Sequence, residues 1–129
     1  MILDSSFLVD FERESAKSKA GRATQFLQAQ PHEELCITFT IAGEMAAGES
    51  MGRDRAKWET FIRPFRFLDY NDEIAWRFGD IYRELRRRGT LIGANDMWIA
   101  ATALTNDQPI VTRNADDFNR VPGLEVLSY

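Results

Sequence analysis

Two apolar patterns alternate along this chain. Short, bounded apolar runs at Met1 to Leu3, Leu35 to Thr38, Phe65 to Leu68, Pro109 to Thr112 and Leu124 to Leu127 have the length and content of strands in a buried sheet. Between them, Ala20 to Gln30, Ile41 to Glu49, Arg53 to Arg63, Asp72 to Arg88 and Asp96 to Asn106 carry helical spacing or strong helix formers. In the long one, Ile74, Phe78, Ile81 and Leu85 recur at steps of three and four and make one apolar stripe, which Gly89 ends as a C-terminal cap. Parallel neighbours need a crossover, and the crossover is usually a helix, so this alternation predicts an α/β domain with a mostly parallel sheet of four or five strands covered on both faces. In such folds sites form beyond the carboxyl ends of the strands.

The 129 residues hold no internal repeat, low-complexity tract or Pro/Gly/Ser-rich linker, which predicts one continuous domain over 1–129. A hydrophobic share of 44% and a charged share of 28% exclude a disordered or fibrous chain. The single cysteine, Cys36, sits in an apolar run and reads as a small buried hydrophobe, which leaves no disulfide within the chain. No basic segment followed by an apolar stretch opens the sequence, and no apolar run approaches membrane-spanning length, so the expected location is the cytoplasm, away from membranes. The net charge of −4 argues against holding nucleic acid by bulk positive charge. That objection weakens where carboxylates hold cations, because the bound ions turn the local field positive.

Several acids fall where a site belongs. Asp4 follows the first strand directly, at its carboxyl end, although an aspartate between a strand and a helix also serves as an N-cap. Asp96, on a helix beginning near Asn95, shares a face with Ile99, Ala100 and Ala103, and a carboxylate aimed at apolar packing must meet a cation or strong donors. Asn95 is placed to cap that helix. Glu44 lies at the margin of the face made by Ile41, Ala42, Met45 and Gly48, at the edge of the core. Asp116 and Asp117 come just after the strand ending at Thr112, where Thr112 and Asn114 can orient a carboxylate. These acids share one predicted mouth. Oxygen-only ligands favour hard cations, and Mg2+ fits a few carboxylates with the rest of its octahedron left to water and phosphate oxygens. Such a site can ready a water and stabilise a leaving oxygen in phosphodiester cleavage.

Other chemistries find less support. His32, the only histidine, lies in a loop, so neither a zinc cluster nor a Ser-His-Asp triad is expected, and no Gly-x-x-x-x-Gly-Lys phosphate loop occurs. The basic run Arg83, Arg86, Arg87 and Arg88 closes the long helix and suits its dipole. Lying just before Asp96, Arg86 and Arg87 are also candidates for RNA backbone contacts, and Arg113 is another.

Met1-Ile2-Leu3-Asp4-Ser5-Ser6, Thr40-Ile41-Ala42-Gly43-Glu44-Met45, Ile92-Gly93-Ala94-Asn95-Asp96-Met97-Trp98-Ile99-Ala100-Ala101 and Thr112-Arg113-Asn114-Ala115-Asp116-Asp117-Phe118, in that order, resemble the motifs of the PIN-domain family and specifically of VapC-type toxins. The resemblance covers nearly the whole chain. It implies a three-layer α/β/α fold and a Mg2+-dependent endoribonuclease, with Mn2+ as a substitute, that is neutralised by a cognate antitoxin and usually forms homodimers. It carries Asp4, Glu44 and Asp96 over as metal-binding acids, with Ser5, Thr112 and Asn114 in support. Many relatives have an aspartate where this chain has Asn114, so Asp116 and Asp117 compete for the fourth position, with Asp117 slightly favoured. Two rivals remain: a non-catalytic interaction module in which the acids merely cap helices, and an aspartyl-phosphate domain using Asp4 as nucleophile.

Overall fold

Every predicted strand contains an observed one. The computed structural model describes residues 1–129, with strands β1 (Ile2–Leu3), β2 (Cys36–Ile37), β3 (Arg66–Phe67), β4 (Ile110–Val111) and β5 (Val126–Leu127). The helices are α1 (Ser5–Ala16), α2 (Arg22–Gln28), α3 (Phe39–Ala47), α4 (Arg55–Ile62), α5 (Asp72–Arg87), α6 (Ala94–Thr105) and α7 (Ala115–Phe118). The sheet runs β3-β2-β1-β4-β5, and each neighbouring pair is parallel.

Burial explains the unbroken apolar character of the inner strands. Ile2, Leu3, Cys36, Ile37, Ile110 and Val111 are all fully buried, as strands covered on both faces require. At the edge, β3 exposes Arg66 and Phe67 while Phe65 and Leu68 beside it are buried, so a charge marks the open side of the sheet. Right-handed crossovers place α1 to α4 on one face, since β1, β2 and β3 step one way, and α5 to α7 on the other, since β3, β4 and β5 step back. Contacts agree: α1 packs on α2 and α3, α5 on α6, and α6 on α7. The stripe of α5 meets α6 through buried Ile74, Ile81 and Leu85, and Phe78 stacks on Trp98 with ring centroids 4.1 Å apart. No helix is long and apolar enough to cross a membrane.

Several boundaries differ from the expectation, each for a local reason. Helix α1 goes unannounced by any apolar stripe because only Phe7 and Leu8 of its 12 residues are buried. Helix α3 begins two residues early because the Thr38 hydroxyl accepts a hydrogen bond from the Ile41 amide and caps it. Helix α6 starts at Ala94 with Gly93 at its N-cap, so Asn95 is not the cap; its side chain is used elsewhere. Helix α7 is a single turn that the sequence presents as a loop.

One cap is supplied from a distance. Gly21, which has no side chain, precedes α2, and the Glu14 carboxylate of α1 accepts from the amides of Gly21, Ala23 and Thr24 at 3.0, 3.1 and 2.8 Å and from the Thr24 hydroxyl at 2.6 Å. Burial opposes the charge, yet these donors hold the Glu14 pKa below its ordinary value.

Candidate active site

The order of the sheet reverses between β1 and β4, and the chain leaves both strands there at their carboxyl ends. Such a switch point opens a crevice. Asp4 emerges from β1 and is only 5% exposed. It occupies the N-cap position of α1 yet makes no capping hydrogen bond. Instead, Oδ2 accepts from the Thr112 hydroxyl at 2.8 Å and from the Ser6 hydroxyl at 2.9 Å. The hydroxyl beside Asp4 therefore belongs to Ser6 and not to the expected Ser5. Thr112 Oγ1 in turn accepts from the Asn114 amide at 3.0 Å, and Ser6 Oγ from the Arg113 amide at 3.1 Å. Both hydroxyls engage one carboxylate oxygen, which leaves Oδ1 without a protein donor.

Glu44 approaches from α3, half-buried beside fully buried Ile41. Asn95, freed from capping, donates from Nδ2 to Glu44 Oε1 at 3.2 Å and ties α6 to α3. Glu44 Oε2 is buried with no hydrogen-bond partner. Asp96 follows on the first turn of α6. Its pKa is raised from 3.8 to about 6, first by burial and then by the negative charges of Asp4, Glu44 and Asp117. Residues from three separate stretches of chain thus act on one carboxyl group.

Asp117 and Asp116 are separated by the geometry of α7. Asp117 is half-buried, accepts from Asn114 Nδ2 at 3.3 Å and acts on Asp96; Asp116 is exposed and does none of these. Between the two candidates, the structure brings Asp117 to the mouth.

Comparison with known proteins agrees. The PIN-domain family model matches residues 1–124. The chain belongs to the PIN-domain family, among its VapC members. "Ribonuclease VapC" of Rickettsia bellii is 31% identical over 99% of this chain and 95% of the relative. The "tRNA(fMet)-specific endonuclease VapC" of Salmonella typhimurium is 33% identical over 74% of this chain and 75% of the relative. Among solved structures, the VapBC2 complex of Rickettsia felis bound to promoter DNA superposes with a TM-score of 0.81 at 20% identity, covering 99% of this chain and 97% of that one. The DNA-bound VapBC complex of Salmonella typhimurium gives 0.80 at 26% identity, covering 98% and 96%. These neighbours share the α/β/α architecture predicted from the sequence.

The PIN-domain mouth suits a hard cation by the chemistry of its donors. Its acids offer oxygen alone, the one histidine is an exposed loop residue, and the one cysteine is buried in β2. An orphaned, buried Glu44 oxygen and a carboxyl group whose ionisation is opposed by three neighbouring acids both mark a deficit of positive charge. The acids do not close into a ready cage: no three His, Cys, Asp or Glu side chains meet as a metal cluster. The expectation of acids tight enough to share an ion is met only as far as electrostatic reach.

The arginines expected at RNA divide. Arg87 is held by Glu84, which also takes Arg88, while Arg86 is exposed and has no ion-pair partner. Arg113 is bound through Nη1 to both oxygens of Asp10, each at 3.0 Å. Sequence reasoning missed Ser6, Asp10 and Tyr129. The signal for Ser6 was its place in the first turn after Asp4; nothing local pointed to the other two.

Proposed function

We propose that this chain is a Mg2+-dependent endoribonuclease that cuts RNA phosphodiester bonds, working in the cytoplasm as the toxin of a toxin–antitoxin pair. Support comes from relatives named as a ribonuclease and a tRNA-specific endonuclease, and from structural neighbours that are VapBC complexes. A cognate antitoxin neutralises it, and the working form is a homodimer. The observation that carries the reading is the gathering of acids at the mouth, with Glu44 Oε2 buried and unpartnered beside Asp4, Asp96 and Asp117.

Asp4, Glu44, Asp96 and Asp117 would hold the ion. Mg2+, or Mn2+ in its place, supplies neutralisation of the approaching phosphate and of the leaving oxygen, and increases the acidity of water there. The protein's own work is to keep negative side chains together and correctly turned. Thr112 and Ser6 hold Asp4 by one oxygen, Asn95 holds Glu44, and Asn114 holds Asp117. Without a counterion these acids repel a polyanion, so RNA binding at the mouth depends on the divalent ion.

The test uses purified, antitoxin-free protein with a defined RNA and Mg2+ or Mn2+. Asp4→Asn and Asp96→Asn abolish cleavage while circular dichroism shows an intact fold, and a chelator stops the unaltered protein. Cleavage retained by either variant at matched metal overturns the assignment. Calorimetry that detects no binding at millimolar metal favours the non-catalytic interaction module.

A further inference from the structure

A hydrogen-bonded bracket joins the end of β5 to the catalytic mouth. Tyr129 donates its hydroxyl to Asp10 Oδ2 at 2.8 Å and packs edge-on against fully buried Phe7, with centroids 4.6 Å apart. Asp10, on α1, receives Nη1 of Arg113 at 3.0 Å to each oxygen. The backbone amide of the same Arg113 donates to Ser6 Oγ at 3.1 Å, and Ser6 donates to Asp4 at 2.9 Å. The bracket therefore spans β5, α1 and the turn after β4, and it ends on the carboxylate that the mouth buries most deeply.

We propose that Asp10 and Tyr129 are positioning residues for the ribonuclease reaction, acting through Arg113 to fix the Ser6 hydroxyl and so the orientation of Asp4. The inference rests on the metal-dependent reading above. The turn that carries Arg113 also carries Thr112 and Asn114, which touch Asp4 and Asp117. Holding its side chain at Asp10 thus sets three of the donors that orient the acids. The Tyr129 hydroxyl is fit for its part: burial first, and then its bond to Asp10, push its pKa far above the ordinary value, so it remains a donor. Asp10, neutralised by Arg113, faces Arg13 as well at 4.0 Å. Nη1 of this guanidinium is committed to the bracket. Partners that orient metal ligands from behind typically govern affinity and rate by about 10- to 100-fold.

The experiment compares Asp10→Asn, Tyr129→Phe and Arg113→Ala in the full chain, reading Mn2+ affinity by calorimetry, kcat and KM on RNA, and the thermal midpoint. The expected result is metal binding weakened about 10-fold, at the lower end of what such partners govern, with kcat reduced and KM for RNA unchanged. Tyr129→Phe keeps the ring against Phe7, so it decides the matter even if Asp10→Asn fails to fold. Wild-type metal affinity and kcat in Tyr129→Phe overturn the inference, as does a change in KM alone in Arg113→Ala, which makes Arg113 a charge contact to RNA. An unaltered protein that binds no metal overturns the ribonuclease reading and this inference with it.

Discussion

Thr112, at the end of β4, donates its hydroxyl to the Asp4 carboxylate, 108 positions earlier at the end of β1, over 2.8 Å. Two parallel neighbours at the switch point are thereby joined at the place where their carboxyl ends open the mouth. The pair is almost fully buried, so its hydrogen bond replaces water that neither group can reach. Thr112→Val keeps the shape and removes the donor. A buried carboxylate that loses one such partner costs about 1–3 kcal/mol, so a lower denaturant midpoint by that amount and slower RNA cleavage are expected, while Thr112→Ser retains most of both. An unchanged stability in the valine variant would show that Ser6 alone satisfies Asp4.

How far the sequence went depended on the range of the physical signal. Strands buried on both faces announce themselves as short apolar runs, as β1, β2 and β4 do, and β3 and β5, less buried, lie within runs that hold further apolar residues. The stripe of α5 is equally legible, because most of it packs on a single neighbour. Helix α1 is not, since its core-packing residues Phe7, Leu8, Val9 and Phe11 bunch between positions 7 and 11 and the stripe does not continue into the polar run that follows. Asp4 was singled out by its place at the end of a strand and Asp96 by the apolar helix face it shares, and both signals are local. Asp10 and Tyr129 were not, because what gives them meaning is a contact between α1 and the end of β5 that only the closed sheet creates.

The division of labour between Asp116 and Asp117 is open to a direct comparison. Asp117 acts on Asp96 and is held by Asn114, whereas Asp116 is exposed in the same turn. Asp117→Asn is expected to lower cleavage by one to two orders of magnitude, as loss of a metal-site partner does. Asp116→Asn should stay within about twofold, since exposed surface changes away from special features shift free energy by at most about 0.5 kcal/mol. Steady-state kinetics on one RNA decides it, and the reverse ranking would move the fourth acid to Asp116.

Glu14 offers a prediction about the fold apart from the chemistry. Its carboxylate takes the amides of Gly21, Ala23 and Thr24 that α2 leaves unpaired, in place of a side chain that Gly21 does not have. Glu14→Ala removes the whole cap, and a loss of about 1–2 kcal/mol is expected, as for other capping side chains. Gly21→Ala should also destabilise, because the added Cβ would collide with the Glu14 carboxylate. Urea denaturation of both variants checks this; if neither lowers the midpoint, α2 is held by Ala23 and its packing alone.

The charge deficit of the mouth predicts that Asp96 trades stability for function. In the folded protein its pKa is about 6, against an ordinary value of 3.8, so between these pH values the native state binds a proton that the unfolded chain does not. The contribution of Asp96 to the stability of metal-free protein must then fall as pH rises from 3.8 to about 6, and remain lowered above that range. Asp96→Asn removes the penalty. Because the group is only half buried, solvent screening cuts the gain at neutral pH to about 1 kcal/mol. The expected outcome, in chelator, is a variant more stable than the unaltered protein at pH 7 and equal to it below pH 4, the difference opening as pH rises between. Adding Mg2+ reverses the order, since a ligand that binds only the native state stabilises it by about 2.7 kcal/mol at one hundred times its dissociation constant, and the asparagine variant has lost one of the acids that attract the ion. Urea midpoints measured across this pH range, with and without Mg2+, would contradict the account if the asparagine variant were the less stable protein in chelator at neutral pH.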